Sequence, residues 1–164
     1  MILTKLSRFL CVAFAGAIVA AALVGCAGTQ SATNDAQTEN RQYMAALNQG
    51  MDELANKLDS FNDAVTRNDV VSMRTQAEKA FKQIDKIEAI EAPEALTDVK
   101  EGYIEGCLML ESALGQYIDL YTQLDSGAVT ADSEEYANAL ADIQANYDSG
   151  IAKLEETDKL ALGL

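Results

Sequence analysis

From Leu96 to Leu124 the small and apolar positions keep an unbroken rhythm: Leu96, Val99, Tyr103, Gly106, Leu110, Ala113, Tyr117, Leu120 and Leu124 follow one another at intervals of three or four. Side chains spaced this way share one face of an α-helix. The same beat runs through Leu47, Met51, Leu54, Leu58, Phe61 and Val65, then through Met73, Ala77, Ala80, Ile84 and Ile87, with Phe81 and Ile90 widening the stripe. A last run comprises Tyr136, Leu140, Ile143, Tyr147, Gly150 and Leu154. No stretch of comparable length alternates with period two, so the pattern demands an all-α fold.

The breaks between runs carry terminus signals. Asn68-Asp69 offers an N-cap. Pro93 disfavours helix at Ala92 and suits the first turn of the next one. Asp125-Ser126-Gly127 reads as a helix end, with Gly127 free to turn left-handed. Asp132 with Glu135 resembles a capping box. Four helices are expected, near 40–66, 69–91, 94–125 and 132–158. Short connections make consecutive amphipathic helices antiparallel, giving an up-down four-helix bundle. The alternative is a three-helix core with the first helix loosely docked. One proline, no tryptophan and 49% apolar residues agree with a helical, core-forming chain. Gly102 and Gly106, four apart, with Gly115 beyond, predict close approach of a neighbouring helix, with Tyr103, Tyr117, Tyr121, Tyr136 and Tyr147 supplying bulk.

The first residues follow another logic. Lys5 and Arg8 precede Phe9–Val24, which holds no charge. That is the layout of a secretory signal peptide; a membrane-spanning helix needs roughly 20 apolar residues. The run ends in Leu23-Val24-Gly25-Cys26. This tetrapeptide resembles the lipobox of bacterial lipoproteins. The resemblance implies that Cys26 receives a diacylglyceryl group on its thiol and that cleavage falls between Gly25 and Cys26. Two acyl chains of the palmitate kind hold a protein on a membrane where one does so only marginally. The competing readings are an uncleaved transmembrane helix and a plain secretory signal with an incidental cysteine. Ala27, after the cysteine, is not the Asp that marks inner-membrane retention in some enteric bacteria. The implied organisation is signal peptide 1–25, lipidated Cys26 and flexible tether 26–41, and helical domain 42–164. The polar segment 27–41, as a coil of about 15 residues, would span roughly 20 Å.

Charge excludes whole classes of function. The chain carries 26 acids against 12 bases, a net of −14. No acid precedes Asp35, so losing residues 1–25 with Lys5 and Arg8 leaves 10 bases and a net of −16. Such a surface repels nucleic acid and anionic headgroups. The absence of histidine removes Ser-His-Asp and Cys-His pairs, His-based zinc sites and the Glu-x-x-His motif of di-iron bundles. No Gly-rich phosphate loop, Cys-x-x-Cys pair or EF-hand loop is present. Acids that share a helix face remain, Glu94, Asp98, Glu101 and Glu105 in one set and Asp85 with Glu88 in another, as solvated faces or weak cation sites. The tripeptide Asp-Ser-Gly occurs at 125–127 and again at 148–150, at a length chance explains. Once Cys11 has left with the signal and Cys26 carries lipid, Cys107 stands alone, either a packed small residue or a reactive thiol, and no intramolecular disulfide can form.

The segment "EAPEALTDVKEGYIEGCLMLESALGQYIDLY", with the later "YDSGIAKLEE", is similar to helical ectodomains of bacterial lipoproteins, and brings no catalytic residue with it. The sequence thus leads to a lipid-anchored protein on the extracytoplasmic face of the cell membrane. It is not expected to be an enzyme or to carry a cofactor or metal. It would work by binding or by structural association with an envelope protein. The alternative is a solute- or cation-binding lipoprotein using a Tyr-lined bundle interior or the acidic helix faces.

Overall fold

The structure, a computed structural model, describes residues 31–163. These form four helices, α1 (Ser31–Thr66), α2 (Val70–Glu88), α3 (Thr97–Ser126) and α4 (Glu134–Leu162), with a 3-10 turn at Glu94–Leu96 before α3. Among the described residues there is no strand, and the fold is all-α. The apolar run, the Leu23–Cys26 tetrapeptide and the whole signal segment lie outside the described residues.

The connections follow from local chemistry. Asn68 takes a left-handed conformation (φ 61°) after α1, its N–H donating to the Val65 carbonyl, while the Asp69 N–H donates to that of Ala64. Asp69 then caps α2, accepting from the Ser72 N–H at 3.0 Å and the Ser72 hydroxyl at 2.6 Å. These bonds hold the Asp69 carboxyl below the usual carboxylate range. Gly127 (φ 74°) ends α3 as expected, its N–H turned back to the Gln123 and Leu124 carbonyls. Pro93 does not start α3 directly. Its carbonyl accepts from the Leu96 N–H and closes the 3-10 turn, so α3 begins at Thr97 rather than near 94. The cap of α4 is also one residue later than the sequence suggests. Ser133, not Asp132, accepts from the Tyr136 N–H, and its own N–H and hydroxyl tie back to the Thr130 carbonyl. A capping Asp132 would need the helix to start one residue earlier, which those bonds to Thr130 prevent.

The largest departure is at the start of α1. Residues 31–41, which composition assigns to a tether, are helical. The segment from Ser31 to Asn48 contains neither glycine nor proline, and its Ala, Gln, Glu and Arg residues are good helix formers. Residues 35–42 contribute no buried side chain, and the packed part begins at Tyr43. Helix and core therefore start at different places. The helix continues into residues that touch little, because nothing in their local chemistry stops it.

From Tyr43 onward the stripes pack. Leu47, Leu54, Phe61, Met73, Ile84, Val99 and Leu110 are each at most 2% exposed. Gly50 on α1 lies against Gln83 and Ile87 on α2, and the two helices join at the 67–69 turn, which makes them a hairpin. α3 and α4 form a second hairpin. Gly102 meets Thr157, Gly106 meets Leu154 and Gly150, and the Ser112 hydroxyl accepts from Asn146 at 3.2 Å. Side-chain contacts such as Phe61 edge-on to Tyr117, at 5.8 Å between ring centres, join the hairpins into a helical bundle.

Two glycines make the α3–α4 crossing close. A Cβ on Gly106 would stand 2.7 Å from Leu154 Cδ2 and 3.1 Å from the Gly150 carbonyl oxygen. A Cβ on Gly150 would stand 3.1 Å from the Gly106 carbonyl oxygen and 3.0 Å from Leu110 Cδ2. Each backbone thus fills the space the other leaves. Gly115, on the same α3 helix, would meet nothing within 4 Å. The same substitution should therefore act in opposite senses at the two positions. Gly115→Ala should stabilise by about 1 kcal/mol through helix propensity. Gly106→Ala should destabilise by about 1–2 kcal/mol, because overpacking at a backbone contact outweighs that gain. Chemical denaturation of both variants checks the contrast.

Candidate functional site

Cys26 lies outside the described residues; the tyrosines, Cys107 and the acids singled out by the sequence lie on the helices or, for Glu94, on the 3-10 turn before α3. The six tyrosines do not converge on one centre. Tyr103 and Tyr117 are 14 residues apart on α3, about 21 Å along the axis. Near one end, the Tyr103 hydroxyl donates to the Asp158 carboxylate of α4, with Tyr43 of α1 alongside. Near the other, Tyr117 lies between Phe61 and Tyr121, and the Tyr121 hydroxyl donates to the Asn68 side-chain oxygen. Tyr136 of α4 faces this second group, and Tyr147 is buried near Asp59 and Asp148. The rings serve as core bulk in two clusters.

Within the second cluster the Tyr117 hydroxyl is buried and makes no hydrogen bond to protein. An unmet buried hydroxyl costs about 1–3 kcal/mol. Tyr117→Phe keeps the ring and its contact with Phe61 and removes only that oxygen. Its thermal midpoint should equal or exceed that of the parent. A clear fall would show that the hydroxyl has a partner, such as a bound water or solute.

Cys107 is a packed residue. It is fully buried, its sulfur 3.9 Å from that of Met51 on α1. Burial, followed by the negative charge of Glu111, pushes its thiol up to about 12. A nucleophilic cysteine requires the opposite, an exposed sulfur with a lowered pKa. The acids on the α3 face, Glu94, Asp98, Glu101 and Glu105, are exposed, and Glu105 pairs with Lys153 at 2.8 Å. Asp85 and Glu88 of α2 face Glu111 of α3, whose carboxyl is raised first by burial and then by those two charges. Among the described residues no three His, Cys, Asp or Glu side chains are placed to hold a metal ion. None of the described helices is long and apolar enough to cross a membrane.

No protein-family model, curated protein or solved structure matches this chain.

Two buried polar residues escaped the sequence reading. Gln83, 4% exposed, donates from Nε2 to the Gly50 carbonyl at 3.1 Å, and its Oε1 accepts from Lys86. Thr157, 2% exposed, turns its hydroxyl onto the Lys153 carbonyl and stands against Gly102 with both its hydroxyl and its methyl. The available signal was the spacing itself, since Gln83 stands three residues after Ala80 and Thr157 three after Leu154. An open groove lies between α2 and α3, with Phe81 and Ile118 in its lining.

The buried phenols and thiol set the response to alkali. Tyr43, Tyr103, Tyr117, Tyr136 and Tyr147 are all raised above their ordinary value of 10.0, chiefly by burial. A raised folded pKa contributes stability that is complete below the unfolded value and is lost as pH climbs towards the folded one. The bundle should therefore begin to lose stability near pH 9, the ordinary value of the thiol, and lose more above pH 10, that of the phenols. Phenolate absorbance should then rise together with loss of helical circular dichroism. Tyrosines that ionise near pH 10 in an intact helical protein would contradict this packing.

Proposed function

We propose that this chain is a lipid-anchored protein of the extracytoplasmic membrane face that works by association with an envelope partner. The observation that carries the reading is Leu23-Val24-Gly25-Cys26 at the end of a charge-free run preceded by Lys5 and Arg8. Acylation of Cys26 would supply the two chains that stable anchoring needs. A domain this acidic gains nothing from an anionic surface and requires such a covalent hold.

In this reading the start of α1, which buries no side chain between Asp35 and Gln42, forms a stem. Residues 31–42, at 1.5 Å per residue, would carry the packed helices about 18 Å beyond Ser31. The two hairpins and the α2–α3 packing support an up-down antiparallel arrangement of all four helices above it. The burial of Cys107 and the outward placement of the acids favour a binding role over catalysis. A second reading, binding of a small solute in the interior, has the unpartnered Tyr117 hydroxyl in its favour.

In cells producing the full chain, Cys26→Ser should abolish incorporation of labelled palmitate and leave an uncleaved precursor. Unchanged size and unchanged labelling would overturn the anchoring.

A further inference from the structure

The helices α2 and α3 leave a groove between them of about 340 Å³. Arg74, Glu78 and Phe81 line it from α2, and Gly115, Ile118 and Asp119 from α3. Its floor is apolar, with Phe81 and Ile118 half-buried. It is open in its middle because Gly115 offers no side chain and nothing stands within 4 Å of where a Cβ would be. Elsewhere in α3 glycine is filled by a neighbour, Thr157 at Gly102 and Leu154 at Gly106. At Gly115 the space is unfilled. Leu108 on α3 and Val71 on α2 are exposed apolar side chains on the two helices that form the groove.

The rim of this groove is acidic. Glu78 and Asp119 line it, and Asp85, Glu88 and Glu111 extend the same α2–α3 face. Against them stands Arg74, the one base among the lining residues, already donating to the Thr122 hydroxyl at 2.7 Å. Glu78 and Asp119 outnumber Arg74 in the lining, and an excess of one sign beside an apolar floor is relieved by a partner of opposite sign. A second copy of this chain would bring more negative charge and is disfavoured, as are nucleic acid and anionic lipid.

We propose that the α2–α3 groove docks a basic amphipathic helix of a partner protein, seating its apolar residues on Phe81 and Ile118, one large side chain in the gap at Gly115, and its Lys or Arg residues against the acidic rim. Apolar anchors at i, i+3 or i+4, and i+7 suit such a groove. The proposal rests on the association role above and names the chemistry of its partner.

The test uses the full chain, purified with its native N-terminus in detergent, and three synthetic peptides. The first is an amphipathic Leu/Lys helix; the second has the same composition scrambled to destroy the apolar face; the third carries Glu for Lys. The first should bind saturably by fluorescence anisotropy and protect α2 and α3 amides from hydrogen exchange. The scrambled and acidic peptides should bind at least about tenfold more weakly. Gly115→Met fills the gap without a clash, so it should fold, with unchanged circular dichroism, and weaken the first peptide about tenfold or more. The double change Glu78→Lys with Asp119→Lys should do the same. Equal binding of amphipathic and scrambled peptides, affinity unchanged in Gly115→Met, or no saturable binding would each overturn the groove proposal. Cys26→Ser should leave peptide affinity unchanged. Loss of anchoring and failure of the groove are therefore read separately.

Discussion

Where α3 and α4 cross at Gly106 and Gly150, neither backbone carries a side chain, and each helix presents its bare peptide to the other. That contact sets the geometry of the rest. It draws α3 and α4 together so that Thr157 covers Gly102 and Leu154 covers Gly106. The Tyr103 hydroxyl and the Asp158 carboxylate come within reach of each other on the same pair. With one side of α3 closed in this way, Cys107 and Tyr117 reach towards the first hairpin, against Met51 and Phe61. Close backbone contact gains dispersion at both helices, at the expense of the lower helix propensity of two glycines.

Much of this was legible in the amino-acid sequence because the burial pattern is periodic. Every seam position from Leu96 to Leu120 is buried, glycine included, and Leu124 is half-buried. The unbroken beat also reported that Gly106 and Gly150 belong to the seam, although neither is apolar in the usual sense. Less legible were features decided by single hydrogen bonds or by their absence. Ser133 rather than Asp132 caps α4 because its backbone is already tied to Thr130. Pro93 makes a 3-10 turn first because its carbonyl accepts from Leu96. The beginning of α1 was hidden for another reason: periodicity detects burial, and residues 35–42 bury nothing while still being helical.

The candidate chemistry was legible in kind and less so in place. A Tyr-lined interior belonged to the alternative reading, and the spacing of Tyr103 and Tyr117 along α3 separates two clusters instead. Cys107, beside the seam position Gly106, was open to either reading; the fold buries it and pushes its thiol away from reactivity. The acids fall on outward faces as their spacing implies, yet only the fold reveals that Asp85 and Glu88 of one helix face Glu111 of another across the α2–α3 groove. What emerges is a molecule whose interior is committed to packing and whose open, charged groove lies on the surface.

The account depends most on the α3–α4 contact, and nuclear magnetic resonance reads it directly. With both glycines assigned in the full chain, a nuclear Overhauser cross-peak should join the α-protons of Gly106 and Gly150, with further peaks from Gly102 to the Thr157 methyl. If Gly106 instead shows contacts only within its own helix, or meets a different part of α4, the two hairpin halves are not packed as described and the interior built on them does not stand.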